Sequence, residues 1–299
     1  METAAAGKGH TGTVPELPEV QALADDLRTR LEDRAVARLD VVAFSALKTF
    51  SPPPSALQGL FVSGVSRHGK FLDIAVDELH LVVHLARGGW IRWRDELPSV
   101  PARPGKGPLA ARLALDDGSG LDFTEAGTQK RLAIYVVEAV DQIPGIARLG
   151  PDPLDAAFTI DALASILEAA GRSQLKGVLR DQSVIAGIGN AYSDEILHVA
   201  KMSPFKPAAM PPEDVERLYV AIATTLRDAV SRSEGLAASE LKKEKKSGLR
   251  VHGRTGEPCP VCGDTVREVS FADSSLQYCP TCQTGGKPLA DRRLSRLLK

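Results

Sequence analysis

The chain has 299 residues, of which 43% are hydrophobic, and its 37 basic and 38 acidic side chains leave a formal net charge of −1. This length and apolar content allow two or three domains with buried cores. No run approaches the roughly 20 apolar residues of a membrane-spanning helix, and residues 1–13 lack the apolar segment of a secretory signal, so we expect a cytoplasmic protein without a membrane partner.

The predicted elements divide the chain into a β-rich part and a helical part. Residues 1–14 are interpreted as a disordered extension, after which an apolar stripe over Val20, Leu23, Leu27 and Leu31 predicts a helix. Short β-rich runs follow at 38–44, 70–76, 79–86, 111–115 and 132–137, which is typical of stacked strands in a sandwich. Beyond Pro144 the pattern predicts helices at 161–170, 174–180, 191–200 and 212–232.

The four cysteines are confined to one short C-terminal segment. They form two Cys-x2-Cys pairs separated by sixteen residues, a spacing typical of a zinc site, with the ligands Cys259, Cys262, Cys279 and Cys282. A shell of four thiolates leaves no open position, so one structural Zn²⁺ is predicted rather than a catalytic one. Two disulfides or a redox pair are the alternative, which the absence of an export signal disfavours.

Charge is distributed unevenly along the chain. Residues 231–299 contain 13 Lys and Arg against 8 Asp and Glu. This excess of positive charge predicts that phosphate groups bind toward the C-terminal part, although an ordinary solvated surface would give the same count.

Three motifs, spread over nearly the whole chain, resemble one family. Residues 15–20 (Pro-Glu-Leu-Pro-Glu-Val) look like its amino-terminal signature, and residues 187–192 (Gly-Ile-Gly-Asn-Ala-Tyr) with Glu195 resemble its helix–two-turn–helix hairpin. Residues 251–254 (Val-His-Gly-Arg), running into Cys259, resemble the entry to its zinc finger. The chain thus resembles the bifunctional DNA glycosylase/AP lyases that include formamidopyrimidine-DNA glycosylase and endonuclease VIII.

The resemblance implies an α+β protein with an N-terminal catalytic β-sandwich domain over 15–143 and a helix–two-turn–helix DNA-binding domain over 144–240. A basic linker and the four-cysteine zinc finger occupy 241–299. Base-excision repair is the implied function, on double-stranded DNA that carries an oxidised base or an abasic site. We expect a monomer.

The implied catalytic residues lie at the amino-terminal motif. Pro15 matches the family's nucleophile, an amine that attacks C1′ of the sugar and forms an iminium ion. Glu16 matches the acid that protonates the opening sugar, Glu19 a carboxylate that holds the site, and Lys70 a strand lysine that contacts a phosphate. Each also has an ordinary interpretation, as a helix-start proline, first-turn glutamates and an exposed lysine.

The implied DNA contacts lie mainly in the hairpin. Gly187 and Gly189 would let backbone amides approach a phosphate, and Asn190 would add a side-chain donor. Lys176 matches another phosphate-contacting position.

The chain departs from the family pattern at three places. Pro15 lies inside the chain, so its nitrogen is an amide; a start codon assigned thirteen residues too early, with Val14 as the true initiator, or a genuine extension would explain this. Ser274 stands where the family carries a phosphate-binding arginine. Arg87 stands where a methionine is common, and residues 124–129 replace the other loop that fills the gap left by a flipped base.

Two further functional classes compete with a repair enzyme. A non-catalytic protein that binds damaged or structured DNA would explain the departures but not the retained Pro15, Glu16, Glu19 and Lys70. An RNA- or ribosome-associated zinc-ribbon protein would explain the cysteines but not the amino-terminal motif.

Overall fold

The computed structural model describes residues 14–105, 107–271 and 274–290. The predicted extension therefore falls outside the described residues except for Val14. Among the described residues, no helix is both long enough and apolar enough to cross a membrane.

The N-terminal half is a sandwich of two four-stranded antiparallel sheets preceded by helix α1 (Leu17–Leu31). One sheet has the order β1-β6-β7-β5 and the other the order β2-β3-β4-β8. The strands are β1 (Val36–Val41), β2 (Val62–His68), β3 (Phe71–Val76), β4 (Leu79–His84), β5 (Gly89–Arg94), β6 (Leu109–Leu115), β7 (Gly120–Glu125) and β8 (Ala133–Val137).

The predicted apolar stripe of α1 is confirmed. Val20, Leu23, Leu27 and Leu31 are all at most 1% exposed and belong to the core that fills the sandwich. Complete burial of such a side chain stabilises the fold by about 1.5–3 kcal/mol. The spacing of these residues therefore fixes which face of α1 lies against the sheets.

Three strands were missed by the sequence pattern, and each has a physical reason. β2 contains Gly64 and an irregular register, which interrupt its alternation. β5 begins with Gly89, which follows Gly88 in the loop after β4. β7 carries the buried Asp122, whose carboxylate is satisfied by Arg94 and Arg112 on the strands at either side.

The second half is helical and begins with the short helix α2 (Pro144–Ala147). It continues through α3 (Ile160–Ala170), α4 (Leu175–Arg180), α5 (Asn190–Val199) and α6 (Pro212–Ser233). These bounds agree with the predicted helices to within one or two residues. The α4–α5 pair and the turn between them hold the Gly-Ile-Gly-Asn motif.

The C-terminal segment contains helix α7 (Leu241–Gly248), the hairpin β9 (Arg267–Ser270) and β10 (Ser275–Tyr278), and helix α8 (Pro280–Thr284). The sequence indicated only a basic linker where α7 forms. The predicted fold class is confirmed: a β-sandwich, a helical helix–two-turn–helix part and a four-cysteine finger.

The start of α1 joins the two halves. Leu17 is fully buried, yet it packs in the core of the helical half rather than in the sandwich. Its amide also donates to the carbonyl of Gly187, at 3.0 Å. The amino-terminal motif therefore lies at the junction of the two halves.

Candidate active site

The amino-terminal motif, residues 15–20, packs against the helix–two-turn–helix hairpin. Pro15 and Glu16 are both buried, and Glu16 is the N-cap residue that directly precedes α1. Its amide donates to Glu19 Oε2 at 2.8 Å, so the two glutamates hold one another in place at the first turn.

The carboxylate of Glu16 caps a second helix, α5, from another part of the chain. It accepts hydrogen bonds from the amides of Gly189 at 2.6 Å, Ala191 at 2.9 Å and Tyr192 at 3.2 Å. Burial alone raises the pKa of Glu16, but Lys245, Lys70 and the backbone donors outweigh it and hold this pKa below its usual value. Glu16 is therefore an ionised carboxylate at neutral pH.

Glu19 completes the acidic part of the site. Its Oε1 accepts from the phenol of Tyr192 at 2.8 Å, and its Oε2 lies 2.7 Å from Lys245 Nζ. Burial and Glu19 raise the pKa of Tyr192 well above its usual value, so this phenol stays protonated and serves as a donor.

Two lysines approach Glu16 from different elements. Lys70, in the turn between β2 and β3, donates to the carbonyl of Ile188 at 2.9 Å. Burial lowers the pKa of Lys70, although Glu16 opposes this. Lys245 of α7 donates to the carbonyl of Val14 at 2.9 Å and lies 3.8 Å from Glu16 Oε1.

This arrangement brings together all four predicted catalytic residues. Pro15 is placed beside a paired set of carboxylates and amines in a largely water-excluded site, which favours proton transfer and the stabilisation of a cation. In the chain as it stands, the nitrogen of Pro15 is a peptide nitrogen and has no free lone pair.

The roles predicted for Gly187 and Gly189 need correction. The amide of Gly189 is bound to Glu16, and that of Gly187 donates to Gln182 Oε1 at 2.9 Å. A side chain at Gly187 would meet the Leu17 side chain at 2.7 Å, and one at Gly189 would meet the Glu16 carboxyl carbon at 2.4 Å. These glycines let α1 approach the hairpin, and their amides are occupied by Glu16 and Gln182.

Lys176, predicted to contact a phosphate, is engaged in contacts within the protein. Lys176 is only 5% exposed, and its Nζ donates to Asp194 Oδ1 at 2.6 Å, Ser193 Oγ at 2.7 Å and the carbonyl of Asn190 at 3.0 Å. Asp194 in turn accepts from His252 Nδ1 at 2.8 Å. Lys176 is thus committed to a buried network that joins α4, α5 and the zinc finger.

Asn190 is half-buried at the start of α5. Its Nδ2 donates to the carbonyl of Ser275 at 2.8 Å, so this side chain contacts the β9–β10 hairpin. Its Oδ1 is buried and has no hydrogen-bond partner in the part of the chain that the structure describes.

Arg87 and Ser274 lie on two separate loops. Arg87 is exposed between β4 and β5, and no ion pair involves it in the described ranges. Ser274 is half-exposed between β9 and β10, and its carbonyl accepts from the amide of Phe271 at 2.8 Å. Residues 126–131, which follow β7, are exposed as well.

The four cysteines form the predicted zinc site. All four Sγ atoms lie within 4.8 Å of one another, with Cys259 to Cys282 at 3.9 Å and Cys262 to Cys279 at 3.3 Å. A tetrahedral Zn²⁺ with bonds of about 2.3 Å requires sulfur atoms about 3.8 Å apart, so the cluster fits one structural zinc ion.

The zinc finger is tied to α5 by two buried side chains. His198 Nε2 lies 3.2 Å from Cys259 Sγ, and burial together with Arg250 lowers the pKa of His198 to about 4. The neutral imidazole can therefore donate one N–H to the thiolate. Glu195 accepts from three successive amides, those of residues 250–252, which anchors the entry to the finger.

Lys245 and Tyr192 belong to the site but were not predicted from the sequence. The stretch 242–246 was interpreted as a solvated basic linker, but Leu241, Lys245 and Leu249 recur every four residues and are all buried. A lysine at an apolar position of a helical repeat is the signal that was available. Tyr192 carried no signal beyond its place in the hairpin motif.

Comparison with sequence families covers both halves and the finger. Residues 14–131 match the formamidopyrimidine-DNA glycosylase N-terminal domain, residues 149–240 match the formamidopyrimidine-DNA glycosylase H2TH domain, and residues 256–285 match the zinc finger found in FPG and IleRS.

Individual relatives agree with these matches. Formamidopyrimidine-DNA glycosylase of Symbiobacterium thermophilum is 32% identical over 293 residues, which are 94% of this chain and 93% of the relative. The enzyme of the same name from Moorella thermoacetica is 35% identical over 272 residues, 86% of this chain and 94% of the relative. An uncharacterized formamidopyrimidine-DNA glycosylase-like protein of Mycobacterium tuberculosis is 65% identical over 152 residues, half of this chain and 94% of that protein.

Two solved structures illustrate the similarity in three dimensions. The MutM (Fpg) protein of Thermus thermophilus has 30% sequence identity and a TM-score of 0.76, over 92% of this chain and 100% of that one. Lactococcus lactis Fpg, non-covalently bound to DNA with an AP site, has 25% identity and a TM-score of 0.76, over 90% of this chain and 99% of that one.

Proposed function

The chain belongs to the formamidopyrimidine-DNA glycosylase family of base-excision repair enzymes, and we propose that it removes oxidised bases and then cuts the strand as an AP lyase. The proposed nucleophile is the amine of Pro15, in a form of the protein that begins at this residue. The substrate is double-stranded DNA with an oxidised base or an abasic site, and the protein acts as a monomer.

The observation that carries the proposal is the environment of Pro15. The residue lies beside Glu16, an ionised carboxylate held by three amides, whose charge interacts with two amines, the half-buried Lys70 and the buried Lys245. A protein that only binds DNA has no need of this charged set in a buried position, because burying charged groups is costly.

Base removal follows from this chemistry. The neutral amine of Pro15 attacks C1′ of the flipped nucleotide, and the bond from C1′ to the base breaks, with the electron pair leaving on the base. Glu16, being ionised, takes the proton that the attacking nitrogen gives up. It then delivers this proton to the ring oxygen O4′ as the ring opens and the iminium forms.

Strand cleavage is the second stage. The iminium ion acidifies the hydrogen on C2′, and a carboxylate or an amine of the site removes it. Elimination then breaks the bond from C3′ to its oxygen, and the 3′ phosphate leaves with the electron pair. Lys70 is the candidate for holding a phosphate near the sugar during these steps.

DNA recognition is proposed to use the loops that surround the site. Of the predicted loop 124–129, Thr124 and Glu125 are buried at the end of β7, whereas residues 126–129 are exposed. Arg87 and residues 126–129 are suited to fill the gap that the flipped nucleotide leaves. Asn190 and Ser274, at the junction of the hairpin and the zinc finger, are proposed to face the phosphate backbone of the DNA. Serine supplies a neutral donor where a guanidinium would bind a phosphate more strongly.

A non-catalytic DNA-binding role is the second candidate. Ser274 in place of the arginine and the peptide-bonded nitrogen of Pro15 favour it. Under this alternative the protein would bind damaged duplex without forming any covalent intermediate.

Trapping with borohydride separates the two candidates. Zinc-loaded protein that begins at Pro15 is mixed with duplexes carrying an abasic site or an oxidised base, and reduction converts any iminium into a stable crosslink. We expect a crosslink with this form and none with the full chain from Met1, whose proline nitrogen is an amide. Binding without a crosslink on every duplex would favour the non-catalytic role, and a full-length crosslink abolished by Lys70→Ala would make lysine the nucleophile.

A further inference from the structure

A lysine from the C-terminal segment is inserted into the amino-terminal site. Lys245 is only 4% exposed although it lies in a run of lysines whose neighbour Lys246 is exposed. Its Nζ contacts the carbonyl of Val14 at 2.9 Å and Glu19 Oε2 at 2.7 Å. It also lies 4.7 Å from the centre of the Tyr192 ring, in a cation–π contact.

In the full chain, the contact with Val14 places this ammonium next to the residue proposed as the nucleophile. A form that begins at Pro15 lacks this carbonyl and retains the contacts of Lys245 with Glu19 and Tyr192. A carbonyl oxygen lies about 2.3 Å from the nitrogen of the following residue, because the peptide group is planar and its bond lengths are fixed. Lys245 Nζ is therefore no more than about 5.2 Å from the nitrogen of Pro15.

At this distance the charge of Lys245 bears on the protonation of a prolyl amine. Glu16 and Glu19 favour the protonated amine, which has no lone pair and cannot attack. A neighbouring ammonium disfavours that form and neutralises Glu19 as well. The charged and titratable groups that interact with Glu16, Glu19 or Tyr192 in this site are Lys70 of the β2–β3 turn, Arg232 of α6 and Lys245 of α7, besides these three residues themselves.

We infer that Lys245 is a positioning residue that keeps the amine of Pro15 unprotonated, and so reactive, at neutral pH. The inference rests on the proposed function, because it concerns the free amine of a form of the protein that begins at Pro15. It assigns the C-terminal segment a part in the chemistry, in addition to its part in binding zinc.

The experiment measures the titration of the amine directly, so that it does not depend on turnover. Zinc-loaded protein beginning at Pro15 is labelled briefly with acetic anhydride across a range of pH, and the extent of labelling at Pro15 is read by mass spectrometry of the amino-terminal peptide. Lys245→Met removes the charge and keeps a similar length, Lys245→Arg keeps the charge, and Lys246→Met is the matched control on the exposed neighbour.

We expect Lys245→Met to raise the pH midpoint of labelling by about 1–2 units, as loss of a nearby like charge does. Lys245→Arg and Lys246→Met should leave it within about 0.5 unit of the parent. The pH profile of borohydride trapping should shift in the same direction, so that trapping by Lys245→Met falls about 10-fold near pH 7 and recovers near pH 9. An unchanged midpoint in zinc-loaded, folded Lys245→Met overturns the inference.

A second variant decides the matter if Lys245→Met does not fold. Glu19→Gln removes a carboxylate and keeps the ammonium, so it should lower the midpoint, and a rise or no change overturns the inference. Failure of the proposed function gives a different result. Parent protein that labels normally at Pro15 but never crosslinks to DNA would contradict the glycosylase mechanism, while the effect of Lys245 on the amine could still be measured.

Discussion

Replacing Gly189 by alanine should damage both the stability and the chemistry of the protein. The new methyl group would lie 2.4 Å from the carboxyl carbon of Glu16, where ordinary contact begins at about 3.4 Å. The carboxylate must therefore move by about 1 Å, away from the three amides that now bind it.

The cost follows from those hydrogen bonds. A hydrogen bond to a charged group contributes about 1.5–3 kcal/mol, so the loss of one or two lowers the free energy of unfolding by about 2–5 kcal/mol. For a chain of this size we expect the thermal midpoint to fall by about 5–15 °C. A displacement of about 1 Å at a catalytic group reduces rates by up to about 10²-fold, so borohydride trapping should fall accordingly.

Gly177 is the matched control. It lies on the exposed face of α4, and a side chain there would meet nothing within 4 Å. Gly177→Ala should therefore raise stability by about 0.5–1 kcal/mol and leave trapping unchanged. If scanning calorimetry and trapping give the same result for both variants, the contact of Glu16 with the start of α5 does not hold the site together.

Two other predictions concern the metal and the DNA. Cys279→Ala should lower the zinc content well below one ion per chain and abolish DNA binding, because structural zinc supplies about 10 kcal/mol or more of folding free energy. A variant with stoichiometric zinc and an unchanged affinity for DNA would contradict this prediction. Lys176→Met should lower the thermal midpoint, since breaking the buried ion pair between Lys176 and Asp194 costs about 3–5 kcal/mol, but it should keep the salt dependence of DNA binding. Arg87→Ala should make the log–log salt slope shallower by about one and leave the thermal midpoint unchanged. A shallower slope for Lys176→Met would return that lysine to the phosphate contacts.

Much of the fold was predictable because its signals are local. The stripe of α1 repeats with the period of one helix, and the apolar faces of α3 to α6 do the same. The cysteine pairs indicate zinc because ligands two residues apart can bind one ion within a single turn of backbone. β2, β5 and β7 were missed because glycine and buried charge interrupt their alternation, and those charges are satisfied only by neighbouring strands.

The sequence by itself identified four of the reactive or charged groups that the site contains. Pro15, Glu16, Glu19 and Lys70 were recognisable from their motifs, and the structure brings them together. The thiolate set of the finger was equally evident, since two Cys-x2-Cys pairs at this spacing are typical of a zinc site.

Only the tertiary structure decided which of these groups are available to a ligand. Lys176 looked like a phosphate contact but is consumed by Asp194, and the amide of Gly189 is consumed by Glu16. Lys245 looked like surface charge, yet it meets a carbonyl 231 residues away along the chain. A lysine or an amide carries the same donor wherever it stands, and its partner is set by the packing of distant elements, which no local pattern encodes.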